Sequence, residues 1–399
     1  MWMAGKGKKI MNQNPNNITT QKNETTNVQN KGKINISNKE NKNSTNGIQN
    51  YHEQVMRRNT IKLRELCSQL PDFCQEYFFG RAQLISSRTK IAYAFDLKVF
   101  FEYIHEHKRG FKDIEITDYD ISLLDQISRT DILMFLEYLS LYEKDGKTIT
   151  NDERGKARKL STLKSFYKYY FCNELIKTNP AALVEMPKLH EKEIIRLEIN
   201  EVANLLDLVE NGDKLTDGEK RFYNKNAKRD FTILTVMLGT GIRVSECVGL
   251  NLQDLDLEEN RFKVRRKGGN ESIIYYGDEV AAALEEYLII REKIIPMSGH
   301  EDALFLSMQN KRMSVRAMEN MVTKYTQKLN TLKRITPHKL RSTFGTNLYR
   351  ETNDIYMVAD FLGHKDVNTT RKHYASISDD KRRNAIRNYK LREENNEDI

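Results

Sequence analysis

The spacing of the apolar residues constrains this chain most, because they return every three or four positions over much of its length. Tyr93, Leu97, Phe100, Phe101 and Ile104 stand at i, i+4, i+7, i+8 and i+11, and Leu163, Phe166, Tyr167 and Tyr170 repeat the pattern. Such a stripe is one face of an α-helix. Thr130 stands ahead of Ile132, Phe135, Leu136 and Leu139, in position to cap a further helix. Residues 51–185 are therefore expected to form a helical domain. Asn179-Pro180 and Pro187 break the pattern, and the charged stretch to Lys192 reads as a linker. From 186 to 399 helices continue around a small sheet. Phe231, Leu234, Thr235 and Leu238 form a helical stripe that ends at Gly239-Thr240-Gly241. Arg261 to Arg265 alternates polar and apolar, Ser272 to Tyr276 is rich in strand formers, and Lys267-Gly268-Gly269-Asn270 is the turn between them. Asp278 and Ser314 are set to cap the helices that follow, the second bearing Met318, Met321, Val322, Tyr325 and Leu329.

Composition narrows the classes of function. No run of about 18 apolar residues is present, so no membrane span is expected, and Met1 to Lys6 lacks the apolar centre of a signal peptide. Cys67, Cys74, Cys172 and Cys247 are scattered, as thiols of a reducing cytoplasm are, rather than arranged as a disulfide framework. The formal charge is +9, but residues 1–50 hold eight lysines and two glutamates and so carry six of those nine charges. That segment is rich in Asn, Lys, Thr and Gln and is expected to be a disordered tail. The remaining +3 says little, so a nucleic-acid partner has to be argued from where basic residues cluster. Arg154, Lys156, Arg158, Lys159, Lys164 and Lys168 are such a cluster. They form a solvated helix face, or a phosphate-tracking one if the second domain handles DNA.

The chemistry-bearing residues lie toward the end of the chain. In Thr336-Pro337-His338-Lys339-Leu340-Arg341, Thr336 can cap a helix and Pro337 suits its first turn. His338 and Arg341, at i and i+3, then share a face, and a base beside a guanidinium suits an anionic phosphate. Ile355, Val358, Ala359 and Leu362 mark another packed helix, Gly363 ends it as a left-handed cap, and His364 emerges directly after. Ten positions on lies Tyr374. Upstream, Arg243 follows the double-glycine turn, and Glu246 at i+3 is placed to hold its guanidinium.

The ordered set Arg243, Lys267, His338, Arg341, His364 and Tyr374 resembles the tyrosine recombinase, or phage-integrase-like, family. The contexts Gly-Ile-Arg-x-Ser-Glu, Pro-His-Lys-Leu-Arg and Leu-Gly-His are all present, and the likeness spans roughly residues 70–395. Within the family the chain is similar to the Xer recombinases, of the XerS type, on the stretches Asn224 to Asp230 and Arg266-Lys267-Gly268-Gly269. It departs from the Xer pattern in having Ser342 where histidine is common, one extra residue between His364 and Tyr374, and a long amino-terminal tail.

The resemblance implies a mainly α fold with a small β-sheet: a helical, SAM-like core-binding domain on DNA and an α+β catalytic domain. It also implies duplex DNA as substrate and a tetramer assembled on it. Tyr374 would attack a phosphodiester to give a 3′-phosphotyrosyl link and a free 5′-hydroxyl. Free tyrosine has a pKa near 10, so proton removal and phosphate neutralisation must act together. His338 takes the proton in this reading, Arg243 and Arg341 clamp the non-bridging oxygens, Lys267 protonates the leaving oxygen, and His364 adds a hydrogen bond. No metal, nucleotide or other cofactor is expected, since two guanidiniums and a lysine supply the positive charge. The segment from Asp379 to Leu391 reads as a helix with a thin apolar stripe, expected to dock on a neighbouring protomer or on its own domain. The rival readings are a phage or conjugative-element integrase, a catalytically idle DNA-binding protein, a type IB topoisomerase, and a metallohydrolase built on His338, His364 and His373.

Overall fold

The computed structural model describes residues 51–144, 146–190, 194–266, 269–364, 366–368, 370–371 and 386. The amino-terminal tail, Lys192, Lys267, His373, Tyr374 and the helix expected from Asp379 to Leu391, apart from Ile386, lie outside the described residues.

Six helices and a hairpin make the first part: α1 (Tyr51–Cys67), α2 (Phe73–Gly80), α3 (Ser87–His107), α4 (Leu123–Gln126), α5 (Arg129–Tyr138), β1 (Tyr142–Lys144), β2 (Lys147–Ile149) and α6 (Glu153–Cys172). The expected stripes are the ones that are buried. Leu97, Phe100, Phe101 and Ile104 of α3 meet Leu163, Phe166, Tyr167 and Tyr170 of α6 in one apolar cluster that extends from Leu66 to Val184, with Tyr93 at its margin. Its aromatic rings pack edge to face, as Phe166 and Tyr170 do with centroids 5.1 Å apart. Buried phenols need partners, and they have them: Tyr77 shares a 2.8 Å hydrogen bond with Ser165, and Tyr170 donates to the Phe73 carbonyl. Thr130 is not the cap of α5. Ser128 is, accepting from the Asp131 amide while the Asp131 carboxylate accepts from the Ser128 amide. The reciprocal pair satisfies two orphan N–H groups at once, which one threonine cannot do.

After a short 3₁₀ turn, Pro180–Leu183, capped by Asn179, a second buried cluster begins at Leu197 and runs to Leu340. Its elements are α7 (Ile199–Asn211), α8 (Asp217–Thr240), α9 (Val244–Gly249), β3 (Leu255–Asp256), β4 (Arg261–Arg265), β5 (Glu271–Tyr275), α10 (Asp278–Glu292), α11 (Val315–Thr326), α12 (Pro337–Thr352) and α13 (Ile355–Leu362). The three strands form one antiparallel sheet in the order β3-β4-β5, with Arg265 opposite Glu271 beside the turn. Helix α8 packs against α7, α10 and α12. Being covered on several sides, it buries Ile233, Val236 and Met237 as well as the expected Leu234 and Thr235. Ser314 caps α11 as expected, whereas α10 is capped by Gly277, and Asp278 takes its first turn, where a carboxylate suits the helix dipole. The chain is thus mainly α with a small sheet. All four cysteines are free thiols. Among the described residues no helix is long and apolar enough to cross a membrane.

Candidate active site

Two left-handed turns bring the site together. Helix α8 stops at Gly241, whose φ is +63°. A Cβ there would lie 2.3 Å from the ring of Phe344 on α12, so the close approach of these two helices depends on glycine. Two residues on, Arg243 is the N-cap of α9, and its backbone N and Nη1 donate to the two oxygens of Glu246 at 2.9 and 2.8 Å. The Glu246 side chain is only 3% exposed and that of Arg243 29%. A carboxylate so buried holds the guanidinium in one direction, unlike an exposed pair.

Arg341, on the second turn of α12, is 6% exposed. Its Nη1 donates to the Gly241 carbonyl at 2.5 Å, and its Nη2 donates to the carbonyl of Leu362, the last residue of α13. One side chain therefore ties the turn before Arg243 to the turn before His364. Gly363, with φ +57°, ends α13 as the sequence suggests. The backbone N–H of His364 then bonds the Ala359 carbonyl, and its Nδ1 shares a 2.7 Å hydrogen bond with Oγ1 of the fully buried Thr370.

His338 lies in the first turn of α12, after Pro337 at its first position; Thr336 is the cap residue, but no side-chain bond to the helix is made. Partial burial, and then the positive charges of Arg341 and Arg243, hold the imidazole below its usual pKa. A larger share of it is therefore neutral, able to accept a proton, at a pH where an ordinary histidine is half charged. Arg243, His338 and Arg341 thus lie close enough to interact, and Arg341 reaches the turn before His364, with the guanidiniums outweighing the buried Glu246. Such a cluster favours an anion with several oxygens. Lys267 and Tyr374 lie outside the described residues. Among the described residues no group of three His, Cys, Asp or Glu side chains gathers as metal ligands.

One nearby side chain is given no part in the site by the sequence reading. Arg266, just after β4, donates from Nη2 to the Phe361 carbonyl at 3.1 Å and lies against Gly363. A second arginine beside the hairpin lysine was the available signal. Thr370 had none, being one threonine in a polar run.

The six basic residues of α6 do not share one surface. At 100° per residue, Arg154, Arg158, Lys164 and Lys168 fall within about a third of the helix circumference, and Lys156 and Lys159 fall outside it. Lys159 is 6% exposed and donates to Asn151 at 2.8 Å, and Lys156 donates to Ser140 at 2.5 Å. Arg158 is held by the buried Asp96, which also accepts from Thr162. Burial pushes the Asp96 carboxyl upward even with that guanidinium beside it. Lys159 is therefore a core residue, and the remaining outward face is Arg154, Arg158, Lys164 and Lys168.

Comparison with known proteins bears on this arrangement. Residues 196–381 match the phage integrase family. The chain is 32% identical, over 86% of its length and 95% of the relative's, to the tyrosine recombinase XerC of Caldanaerobacter subterraneus. It is 30% identical, over 82% of its length and 98% of the relative's, to the tyrosine recombinase XerS of Streptococcus thermophilus. Its fold is similar to that of the XerH site-specific recombinase in a post-cleavage complex with a palindromic difH substrate. The TM-score is 0.56 at 18% identity, covering 84% of this chain and 96% of that one.

Proposed function

Since the chain belongs to the phage integrase family of tyrosine recombinases, we propose that it cuts DNA with Tyr374 and rejoins it through the cluster built on Arg243 and Arg341. It is a site-specific DNA recombinase of the Xer type, which breaks and reseals duplex DNA through a phosphotyrosine intermediate. The observation that supports the assignment of residues is Arg341, whose guanidinium joins the turn before Arg243 to the turn before His364 from the helix that also carries His338.

The steps follow from these groups. The Tyr374 oxygen forms a bond to phosphorus as the bond to the 5′-oxygen breaks. His338, kept neutral by its surroundings, takes the phenolic proton. Arg243, aimed by Glu246, and Arg341 meet the non-bridging oxygens, where charge builds in the transition state. His364 adds a hydrogen bond from the ring atom opposite Thr370. Lys267 gives a proton to the departing 5′-oxygen. The phosphotyrosyl link conserves the phosphodiester energy, so a 5′-hydroxyl from the partner strand reverses the same steps and no nucleotide is consumed. The α6 face of Arg154, Arg158, Lys164 and Lys168 tracks the backbone of the DNA. Resolution of chromosome dimers in the cytoplasm is the role that fits the Xer likeness, and a tetramer on DNA is the assembly.

Tyr374→Phe tests the nucleophile. On a nicked suicide substrate it should bind as wild type does and give no protein–DNA band on a denaturing gel. A band of wild-type strength would move the nucleophile elsewhere, Tyr349 and Tyr356 being the upstream alternatives. Deleting residues from Ser378 onward should weaken the paired full-site complex more than the half-site complex in gel shifts. Equal loss on both would mean that the tail serves the fold of its own subunit.

A further inference from the structure

We propose that Arg266 is a positioning residue for the leaving-group side of the reaction, fastening the base of the β4–β5 hairpin to the carboxy-terminal end of α13. The proposal rests on the recombinase reading above and concerns a residue that reading does not use.

Arg266 and Asn270 are the two posts of the turn. The Arg266 backbone N donates to the Asn270 carbonyl at 2.7 Å, and the Arg266 carbonyl accepts from the Gly269 N–H at 3.1 Å. Gly269, at φ +89°, supplies the left-handed step that closes it. Lys267 is the next residue in the chain after the first post. The Arg266 side chain runs away from the turn, across to α13, and its Nη2 donates to the Phe361 carbonyl at 3.1 Å. The last carbonyls of a helix have no intrahelical donor. Here the final two are taken by two different guanidiniums, Phe361 by Arg266 and Leu362 by Arg341. The end of α13 is thus joined to the hairpin by one arginine and to α12 by the other.

Gly363 is what admits Arg266. A Cβ at that position would come within 2.2 Å of Nη1, 2.5 Å of Cζ and 2.9 Å of Nε, which no side chain can do. The guanidinium therefore lies flat on the turn from which His364 emerges. The packing is tight enough that Nε and Nη1 are buried with no hydrogen-bond partner among the described residues. Unmet buried donors weaken a fold, and an arginine this close to the surface could extend into water instead. The arrangement is understandable if holding the hairpin against α13 is its purpose. Helix α13 has other support, since Val358 and Leu362 pack with Phe344, Leu348 and Ile355 and Arg341 keeps its own bond. Loss of Arg266 should therefore fall first on the hairpin. A general acid has to sit within hydrogen-bonding reach of the oxygen it protonates, and a displacement near 1 Å costs about 100-fold in rate.

The test uses full-length protein and two nicked substrates, one ordinary and one with sulfur in place of the bridging 5′-oxygen. Sulfur leaves without protonation, so it bypasses the acid. Arg266→Ala should bind half-site DNA normally, cleave ordinary DNA about 10- to 100-fold more slowly, and recover most of that loss on the sulfur substrate. The double variant Arg266→Ala, Lys267→Ala should be no slower than Lys267→Ala alone, because one residue acts through the other. If Arg266→Ala melts early, Arg266→Gln, which keeps a donor near the Phe361 carbonyl, is read by the same sulfur criterion. A folded variant that cleaves within about twofold of wild type, a loss that sulfur leaves untouched, or losses that multiply in the double variant would each overturn the proposal. The recombinase reading fails separately, by wild type forming no covalent link or by Tyr374→Phe keeping it.

Discussion

In the cluster around α3 and α6, Asp96 and Lys159 are buried to hold one helix in place; in the cluster around α8 and α12, Glu246 and Arg341 are buried beside the turns that carry Arg243 and His364. Asp96 meets side chains on α6, and the basic groups that face outward owe their common direction to helical periodicity. Arg341 instead spends donors on the carbonyls of two turns far apart in sequence, and Arg243 takes its direction from Glu246. Binding a DNA backbone needs only exposed charge along a face, which tolerates movement. Stabilising a transition state needs charges that are already fixed when the reaction begins. The second region, with Asp230, Glu246, Arg291 and Arg341 buried, therefore carries more of the cost of buried ionic groups than the first, with Asp96 and Lys159.

The contrast is broken most severely at Arg341. Arg341→Ala should lower single-turnover cleavage by about 100- to 1000-fold and also destabilise the protein by about 1–3 kcal/mol, because two turn carbonyls lose their donor. Cleavage on a suicide substrate and a denaturant melt measure the two losses. Full stability with full loss of cleavage would show that the carbonyl contacts are incidental.

A smaller effect sharpens the electrostatic side. Because burial and the two guanidiniums lower the His338 pKa, its neutral form persists below the usual imidazole midpoint near 6.5. Cleavage that needs this base should reach its half-maximum at a pH below the ordinary imidazole midpoint of about 6.5. In Arg341→Gln the His338 ring resonance, followed by NMR, should titrate at higher pH than in wild type. An unchanged midpoint would remove the arginine from its surroundings.

The smallest effects belong to α6. Arg154→Gln and Lys168→Gln should each weaken binding several-fold and lower the salt slope of binding by about 1, with cleavage of saturated complexes unchanged. Lys159→Met, at a buried position, should leave the slope alone and alter only stability. A reduced slope for Lys159→Met would mean that the outward face is wider than α6 presents it.

The helices were legible because burial of an amphipathic face is a local pattern. The stripes of α3, α6, α11 and α13 are written at three- and four-residue spacing and are the faces that pack. The left-handed helix end at Gly363 and the end of the α8 stripe at Gly241 could be read for the same reason, since the residue type and the end of the stripe coincide. Caps were less secure where several polar residues competed, as with Thr130 against Ser128 and Asp278 against Gly277. The motif residues Arg243, His338, Arg341 and His364 could be named from their order along the chain, but not their convergence. That depends on Arg341 reaching carbonyls 100 and 21 residues away, contacts that no local spacing encodes. The same holds for Lys159, which a charge count puts on the DNA face and packing puts in the core, and for Arg266, whose partner lies 95 residues on. Periodicity and turn chemistry are properties of neighbours along the chain. The direction of a long charged side chain is settled only by what the completed fold leaves beside it.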